Sequence, residues 1–191
     1  MKATILNGAT GDDVLTRSAT DALIALLQAG DCEVEQIRLE KLDIAPCRGC
    51  FSCWVKTPGI CVIDDIGRDV AKRAIQCDLL TFVTPITFGG YSFQLKKAAD
   101  RLIPLILPYF QLVGGEIHHQ KRYASYPLLL GLGTLPEPNE AQEQLFRTLV
   151  RRNAINFRSP NHAATVVGTQ HEDRKMDGEL KAVLGQLEVI Q

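Results

Sequence analysis

Four cysteines, Cys47, Cys50, Cys53 and Cys61, lie in one fifteen-residue stretch, CRGCFSCWVKTPGIC, spaced C-x2-C-x2-C-x7-C. Four thiolates can hold an iron–sulfur cluster, and the compact first three are spaced as in bacterial ferredoxins. Zinc also accepts four thiolates, but structural zinc usually takes two separated C-x2–4-C pairs. The plainest reading is a loop whose thiols act as small apolar groups. Spacing alone leaves all three open. A second stretch, NGATGDDVLTRS from Asn7 to Ser18, sets two glycines and several hydroxyls between an apolar run and a helical pattern. Backbone N–H groups at a helix start suit an anion, most naturally a phosphate. Thr10, Thr16 and Ser18 add hydroxyl donors. Asp12 and Asp13 count against that reading, because carboxylates repel a phosphate at close range; pointing outward, they would cap the helix instead. Neither G-x-G-x-x-G nor the Walker pattern G-x-x-x-x-G-K occurs there.

The elements that must position these residues can be read from hydrophobic spacing. Ala3–Leu6 is a buried strand closed by Asn7-Gly8. Leu15, Ala19, Ala22, Leu23, Leu26 and Leu27 share one helix face, and Gly30 stops that helix. Val34–Leu39 is a strand. Asp64 or Asp65 caps a helix reaching Gln76, and Leu79–Val83 is a strand. Ser92 to about Leu107 reads as a helix broken by Pro104 or Pro108. Leu128–Leu132 and Ala163–Val167 are further strands. Asn139 caps a helix with Ala141, Leu145, Leu149 and Val150 inward. Leu180, Val183, Leu184 and Leu187 mark a last helix. The order alternates strand and helix, and the strands do not alternate in polarity. That predicts an α/β three-layer sandwich, a five-stranded parallel sheet covered on both faces. Ligands of such sheets sit beyond the carboxyl ends of the strands. Three loops occupy those ends: Asn7–Thr16, Thr84–Ser92 and Gly131–Asn139.

With 191 residues, 46% apolar and 23% charged, the chain is expected to form one domain with a full core. A formal net charge of −1 supplies no general attraction to nucleic acid or an acidic membrane. No apolar run approaches a membrane span, and the N-terminus lacks the apolar core of a signal peptide. A cytoplasmic protein is expected, with its six cysteines mostly reduced. Cys32 and Cys77 read as plain core residues.

TPITFGGYSFQLKKAADR, Thr84 to Arg101, resembles the second cofactor loop and following helix of the flavodoxin-like, NADPH-dependent FMN reductase family. The matches are Pro85, Gly89, Leu95, Lys96, Asp100 and Arg101. The first loop aligns with that family's N-G-S-x-R-x-x-S-x-T loop. The Cys47–Asp65 stretch looks like its C-x-G-C-x-x-C…G-x-C-x-x-x-D-D segment. The resemblance runs from about Met1 to Asn139. It implies the flavodoxin-like strand order 2-1-3-4-5, FMN as prosthetic group and NAD(P)H as hydride donor. By the same resemblance Asn7, Gly8, Ala9, Thr10, Thr16 and Ser18 would hold the FMN phosphate. Thr84, Pro85, Ile86, Thr87, Phe88 and Gly89 would border the ribityl chain and ring, and Gly133 and Thr134 the ring's other edge. The chain departs from the family in carrying Asp12-Asp13 in place of a frequent basic residue. It also has Thr87 where many relatives place a tyrosine. Phe88, Tyr91 and Trp54 are the candidates for a replacement aromatic surface. Iron–sulfur flavoproteins, a branch of the wider family, carry a cluster on such a cysteine segment. The longer last gap here looks more like clusterless relatives, so the resemblance ranks a metal-free loop first, a 4Fe–4S cluster on Cys47, Cys50, Cys53 and Cys61 second and zinc third.

Three functions follow. The first is an FMN-dependent NAD(P)H oxidoreductase that passes electrons to a quinone, a flavin or another small acceptor. The flavin would do the hydride chemistry, so no side-chain general base is required. The second is an iron–sulfur flavoprotein electron carrier with a protein partner. The third is a cofactor-free binding or regulatory member of the fold. The segment Ile103–Tyr126 carries Tyr109, Phe110, Leu112, Val113 and Ile117 in what reads as a long loop, and it points to a homodimer or dimer of dimers. His118 and His119 read as residues of a solvated loop, and His162 and His171 as surface or core histidines. Arg147, Arg151, Arg152 and Arg158 read as an exposed or dimer face without the aromatics of a nucleic-acid site.

Overall fold

The structure is a computed structural model that describes residues 1–169 and 173–190. Its first half runs β1 (Lys2–Asn7), α1 (Val14–Ala29), β2 (Glu33–Arg38), α2 (Ser52–Val55), α3 (Gly67–Gln76), β3 (Leu79–Pro85) and α4 (Phe93–Asp100). Its second half runs β4 (Ile106–Val113), β5 (Glu116–Lys121), β6 (Leu128–Thr134), α5 (Glu140–Phe157), β7 (His162–Val167) and α6 (Asp173–Gln186). The main sheet has the order β2-β1-β3-β6-β7, and every pairing in it is parallel. Numbered among themselves, its strands run 2-1-3-4-5, the expected flavodoxin-like arrangement.

The apolar runs of β1, β3 and β6 face both ways because successive side chains point to opposite sides of a strand. Ile5 joins a core with Leu23, Leu27, Leu180 and Leu184 under α1 and α6. Leu6 joins the opposite core with Val70, Leu95, Phe146 and Val150 under α3, α4 and α5. Cys32 and Cys77 are buried in these cores, and burial pushes the Cys77 thiol up to about 11. Among the described residues no helix is long and apolar enough to cross a membrane.

Several elements differ from the expectation, each for a local reason. α4 stops at Asp100, not near Leu107, because a 3-10 turn over Ile103–Leu105 contains Pro104 and Ile106 then enters β4. The expected loop over Ile103–Tyr126 is largely an antiparallel hairpin, β4 on β5, turned by Gly114-Gly115 at positive φ. α5 turns Phe146, Val150 and Ala154 inward, while Ala141 and Leu145 are exposed. The cap position of α3 is Ile66 rather than Asp64 or Asp65.

Asp65 is engaged elsewhere. Arg101, 2% exposed at the end of α4, donates to both its oxygens, at 2.8 Å and 2.7 Å. The same guanidinium donates to the carbonyls of Ala45 and Ile63. Asp65 in turn accepts from the backbone N–H groups of Ala45 and Gly67. A Cβ on Gly67 would lie 2.9 Å from the Asp65 carboxylate and 3.1 Å from the guanidinium carbon, so the pair requires glycine there. Hydrogen bonding to Arg101 is the main reason the Asp65 carboxyl is held below its usual range. Burial works against the Arg101 charge, yet Asp65 and the nearby Cys61 sulfur outweigh it and hold that charge on.

Asp65→Ala therefore leaves a buried guanidinium uncompensated and should cost about 3–5 kcal/mol. Arg101→Met should cost less, since Asp65 keeps its backbone donors and some solvent. Urea unfolding midpoints measure both. Because the folded carboxyl is the more acidic one, its contribution is present above about pH 3.9, its unfolded value, and is lost as pH falls through the folded value. The acid limb of a stability–pH curve should flatten in Asp65→Asn. An Arg101→Met variant less stable than Asp65→Ala would contradict this account.

Candidate functional site

The site begins at the carboxyl ends of three parallel strands, where β3 and β6 end level and β1 ends two residues short of them. Asn7 pairs with Val83, Thr84 with Gly133, and Pro85 with Thr134. The loops are stitched together at once. Gly8 N–H donates to the Val83 carbonyl at 2.8 Å, and Ile86 N–H to the Thr134 carbonyl at 2.9 Å. The Ser92 hydroxyl donates to the Gly8 carbonyl at 2.6 Å, while its N–H donates to the Thr84 hydroxyl at 2.8 Å. Sequence reasoning missed Ser92 as the tie between the loops. Its position as the N-cap of α4 was the available signal.

A buried chain of hydroxyls lies under the first loop. The Asn7 amide donates to Thr20, and Thr20 to the Thr16 carbonyl. The Thr16 and Thr134 hydroxyls meet at 2.5 Å. The Asn7–Thr20 branch ends on the Thr16 carbonyl, whereas the hydroxyl pair ends on Asp13, whose carboxylate accepts from the Thr16 hydroxyl at 2.6 Å and the Thr16 N–H at 3.0 Å. Asp13 is thus the N-cap of α1. Further out, Gly11 N–H donates to Glu40 at 3.0 Å, a partner that sequence reasoning did not find because it comes from the turn after β2.

The structure separates the expected site residues into layers. Asn7, Gly8, Thr16, Thr84, Ile86, Gly89, Gly133 and Thr134 are buried and form the floor. Ala9, Thr10, Pro85, Thr87 and Phe88 form the accessible rim. Ser18 lies apart, on the outer face of α1 beside Arg17 and Asp21.

Phe88 dominates the rim. Thr87 and Gly90 exchange backbone hydrogen bonds at 3.0 Å and 2.9 Å across a two-residue turn. Both central residues have positive φ, 51° at Phe88 and 77° at Gly89. Gly89 suits that conformation, and a Cβ on it would also meet Leu145 at 2.8 Å. Phe88 does not suit it, yet it stands 96% exposed at the tip. The other aromatic candidates are engaged elsewhere. Tyr91 is buried edge-on against Phe82 and Phe146, where burial raises its phenol far above the ordinary value. Trp54 donates to the Ile106 carbonyl.

The four cysteines of the segment border one cavity of about 40 Å³ together with Arg101. Cys47 and Cys50 are exposed and Cys53 is buried. Hydrogen bonding to Ser52 lowers the Cys50 thiol, and burial raises that of Cys53. Among the described residues, no three His, Cys, Asp or Glu side chains are arranged to hold a metal ion. A ladder of rings joins this segment to the hairpin: Phe51 on Trp54 at 5.2 Å, Trp54 on His119 at 4.8 Å and His119 on Phe110 at 4.6 Å. The histidine pair is therefore not in a solvated loop. His118 is buried between Asn156 and Glu116, and His119 is a rung of the ladder. His162 is half-buried at the start of β7, and His171 lies outside the described residues. Arg147, Arg151 and Arg152 are exposed, and Arg152 pairs with Glu116.

A family model described as NADPH-dependent FMN reductase matches residues 1–165. The chain belongs to the NADPH-dependent FMN reductase family. This FMN reductase relative is 39% identical over 100 residues to an iron–sulfur flavoprotein of Methanocaldococcus jannaschii, covering 51% of this chain and 50% of that one. It thus spans about half the length of the curated relative it matches. Among solved structures, the NAD(P)H:quinone oxidoreductase of Methanothermobacter marburgensis superimposes with a TM-score of 0.69 at 14% identity, covering 98% and 97% of the two chains. An apo NADH:FMN oxidoreductase gives 0.67 at 15% identity, covering 100% and 90%. At such identities the likeness is one of fold.

The family's cofactor fits this site at one end only. An exposed aromatic beside the strand ends suits a flavin ring. The first loop does not suit the phosphate, because its Gly11 and Thr16 donors already serve Glu40 and Asp13.

The strained turn yields a test. Asn tolerates positive φ, and Asn-Gly is the preferred pair in a turn of this kind. Phe88→Asn should stabilise the protein by about 1 kcal/mol, because it removes the penalty of a left-handed non-glycine residue. The same substitution should weaken flavin binding about tenfold or more. Thermal unfolding and a flavin titration measure the two effects, and a destabilised variant would show that the turn is not strained.

Proposed function

We propose that the chain is an FMN-dependent NAD(P)H oxidoreductase that passes electrons to a quinone, a flavin or another small acceptor, working as one flavodoxin-like domain. The observation that carries the reading is Phe88. A bulky apolar side chain held in an unfavourable conformation, out in solvent, beyond the carboxyl ends of β1, β3 and β6 points to a ligand that covers it. A bound flavin supplies the two-electron chemistry, and the protein holds and surrounds it. The rim from Pro85 to Phe88 would lie along the ring. The buried Thr84, Gly133 and Thr134 would fix the backbone that borders it. No residue is required to abstract a proton.

One observation favours the second reading, an iron–sulfur flavoprotein electron carrier: Cys47, Cys50, Cys53 and Cys61 all border one cavity. The thiols do not converge as ligands where they stand, so this reading ranks behind the first. Protein purified without oxygen should be yellow, and NAD(P)H should bleach its flavin band. Flavin that binds but that neither nicotinamide reduces would reject the first reading. Iron and labile sulfide in that preparation would establish the second.

We further propose a homodimer or dimer of dimers through the hairpin. Tyr109, Phe110, Leu112 and Ile117 are each more than 60% exposed on it, and a patch of that kind is usually covered. Light scattering should give at least twice the 21.1 kDa chain mass. Charged residues at Phe110 and Leu112 should lower it to a monomer, and a monomeric unmutated protein would refute the assembly.

A further inference from the structure

We propose that Asp13 and Glu40 fill the seat of an FMN phosphate, so that this site selects a flavin by its ring and ribityl chain and takes riboflavin as well as FMN. The inference rests on the flavin reading above and narrows its ligand.

Three observations support it. The first is the network under the first loop. The Thr134 hydroxyl meets the Thr16 hydroxyl, and the Thr16 hydroxyl donates to one acceptor, the Asp13 carboxylate. Asp13 takes both the N–H and the hydroxyl of Thr16, the pair a phosphate oxygen would need at the start of α1. The second is Glu40. It reaches across from the turn after β2 to the Gly11 N–H, so a second loop donor also serves a carboxylate. The third is the charge of the loop. Ala9 to Thr16 contains Asp12 and Asp13 and no lysine or arginine. The next basic residue, Arg17, borders the outer face of α1 with Ser18 and Asp21.

A phosphate dianion entering this loop would have to displace Asp13 and Glu40 and then remain close to them and to Asp12. Like charges at such distances repel, and the displaced carboxylates would lose their donors. The alcohol end of riboflavin has no such conflict. It can stop short of Asp13 or donate a hydrogen bond to it. An anion seat that the chain fills for itself gives the phosphate no gain.

The test is an equilibrium titration of the flavin-stripped full chain with riboflavin and with FMN, read by quenching of flavin fluorescence. The expected result is two dissociation constants within threefold of each other. Asp13→Asn combined with Glu40→Gln keeps a capping oxygen for the Thr16 N–H and an acceptor for the Gly11 N–H, at nearly unchanged side-chain volume, while removing two charges. It should tighten FMN at least tenfold and leave riboflavin within threefold. If the unmutated chain binds FMN more than threefold tighter than riboflavin, the inference fails and the flavin reading stands. Equal constants that the double variant leaves equal also overturn it, because the carboxylates are then not the cause. If neither flavin binds the unmutated chain or the variant, both the inference and the function proposed above fall.

Discussion

The long passage from β2 to α3 has little regular structure of its own, and one buried ion pair holds it. Arg101 reaches from the end of α4 to Asp65 and to the carbonyls of Ala45 and Ile63, fixing both roots of the cysteine segment with one guanidinium. Such a pair is costly to bury and gives little net stability. What it secures is position. The thiol-lined cavity has Arg101 in its wall, and the ring ladder rises from the same segment to the hairpin. Lys at this position would offer a point charge without the planar fork that grips Asp65 through both oxygens.

The floor of the candidate site rests on a different constraint, the parallel register. Because β1, β3 and β6 end within two residues of one another, the side chains at their ends are taken up by short polar contacts, Asn7 with Thr20, Thr84 with Ser92 and Thr134 with Thr16. Those contacts bury most of the hydroxyls that would otherwise greet a ligand. The accessible chemistry passes to the rim, above all to an aromatic tip on one side and carboxylates on the other.

The sheet was legible in the sequence because its signals are local. The Ala3–Leu6 and Leu79–Val83 runs, the Gly30 stop and the Asn139 cap each depend on a few neighbouring residues. The hairpin was not legible. ILPYFQLV contains a proline and alternates poorly, so its pairing with EIHHQK is visible only once the two segments meet. The inward face of α5 was legible at Leu149 and Val150 but not in its first turns, where Leu145 is apolar yet packs over Gly89 at the surface rather than in the core. At the candidate site, the sequence pointed to loops that the structure brings together at the carboxyl ends of the strands, and to the carboxylates Asp12-Asp13 in the first of them. It could not show that Asp13 would accept from Thr16, nor that Glu40 would arrive from the turn after β2. Such contacts between distant segments leave no mark on local spacing, and the same holds for Arg101 and Asp65.

The ring ladder also settles what this protein would report optically. The chain has one tryptophan, and Trp54 sits between Phe51 and His119 with its indole N–H on the Ile106 carbonyl. Its emission is therefore a probe of the junction between the cysteine segment and the hairpin, and it carries little information about the parallel sheet. If that junction opens before the sheet does, fluorescence and circular dichroism will follow different denaturation curves. Such a split would record the loosening of one corner, while the sheet itself still unfolds in a single cooperative step.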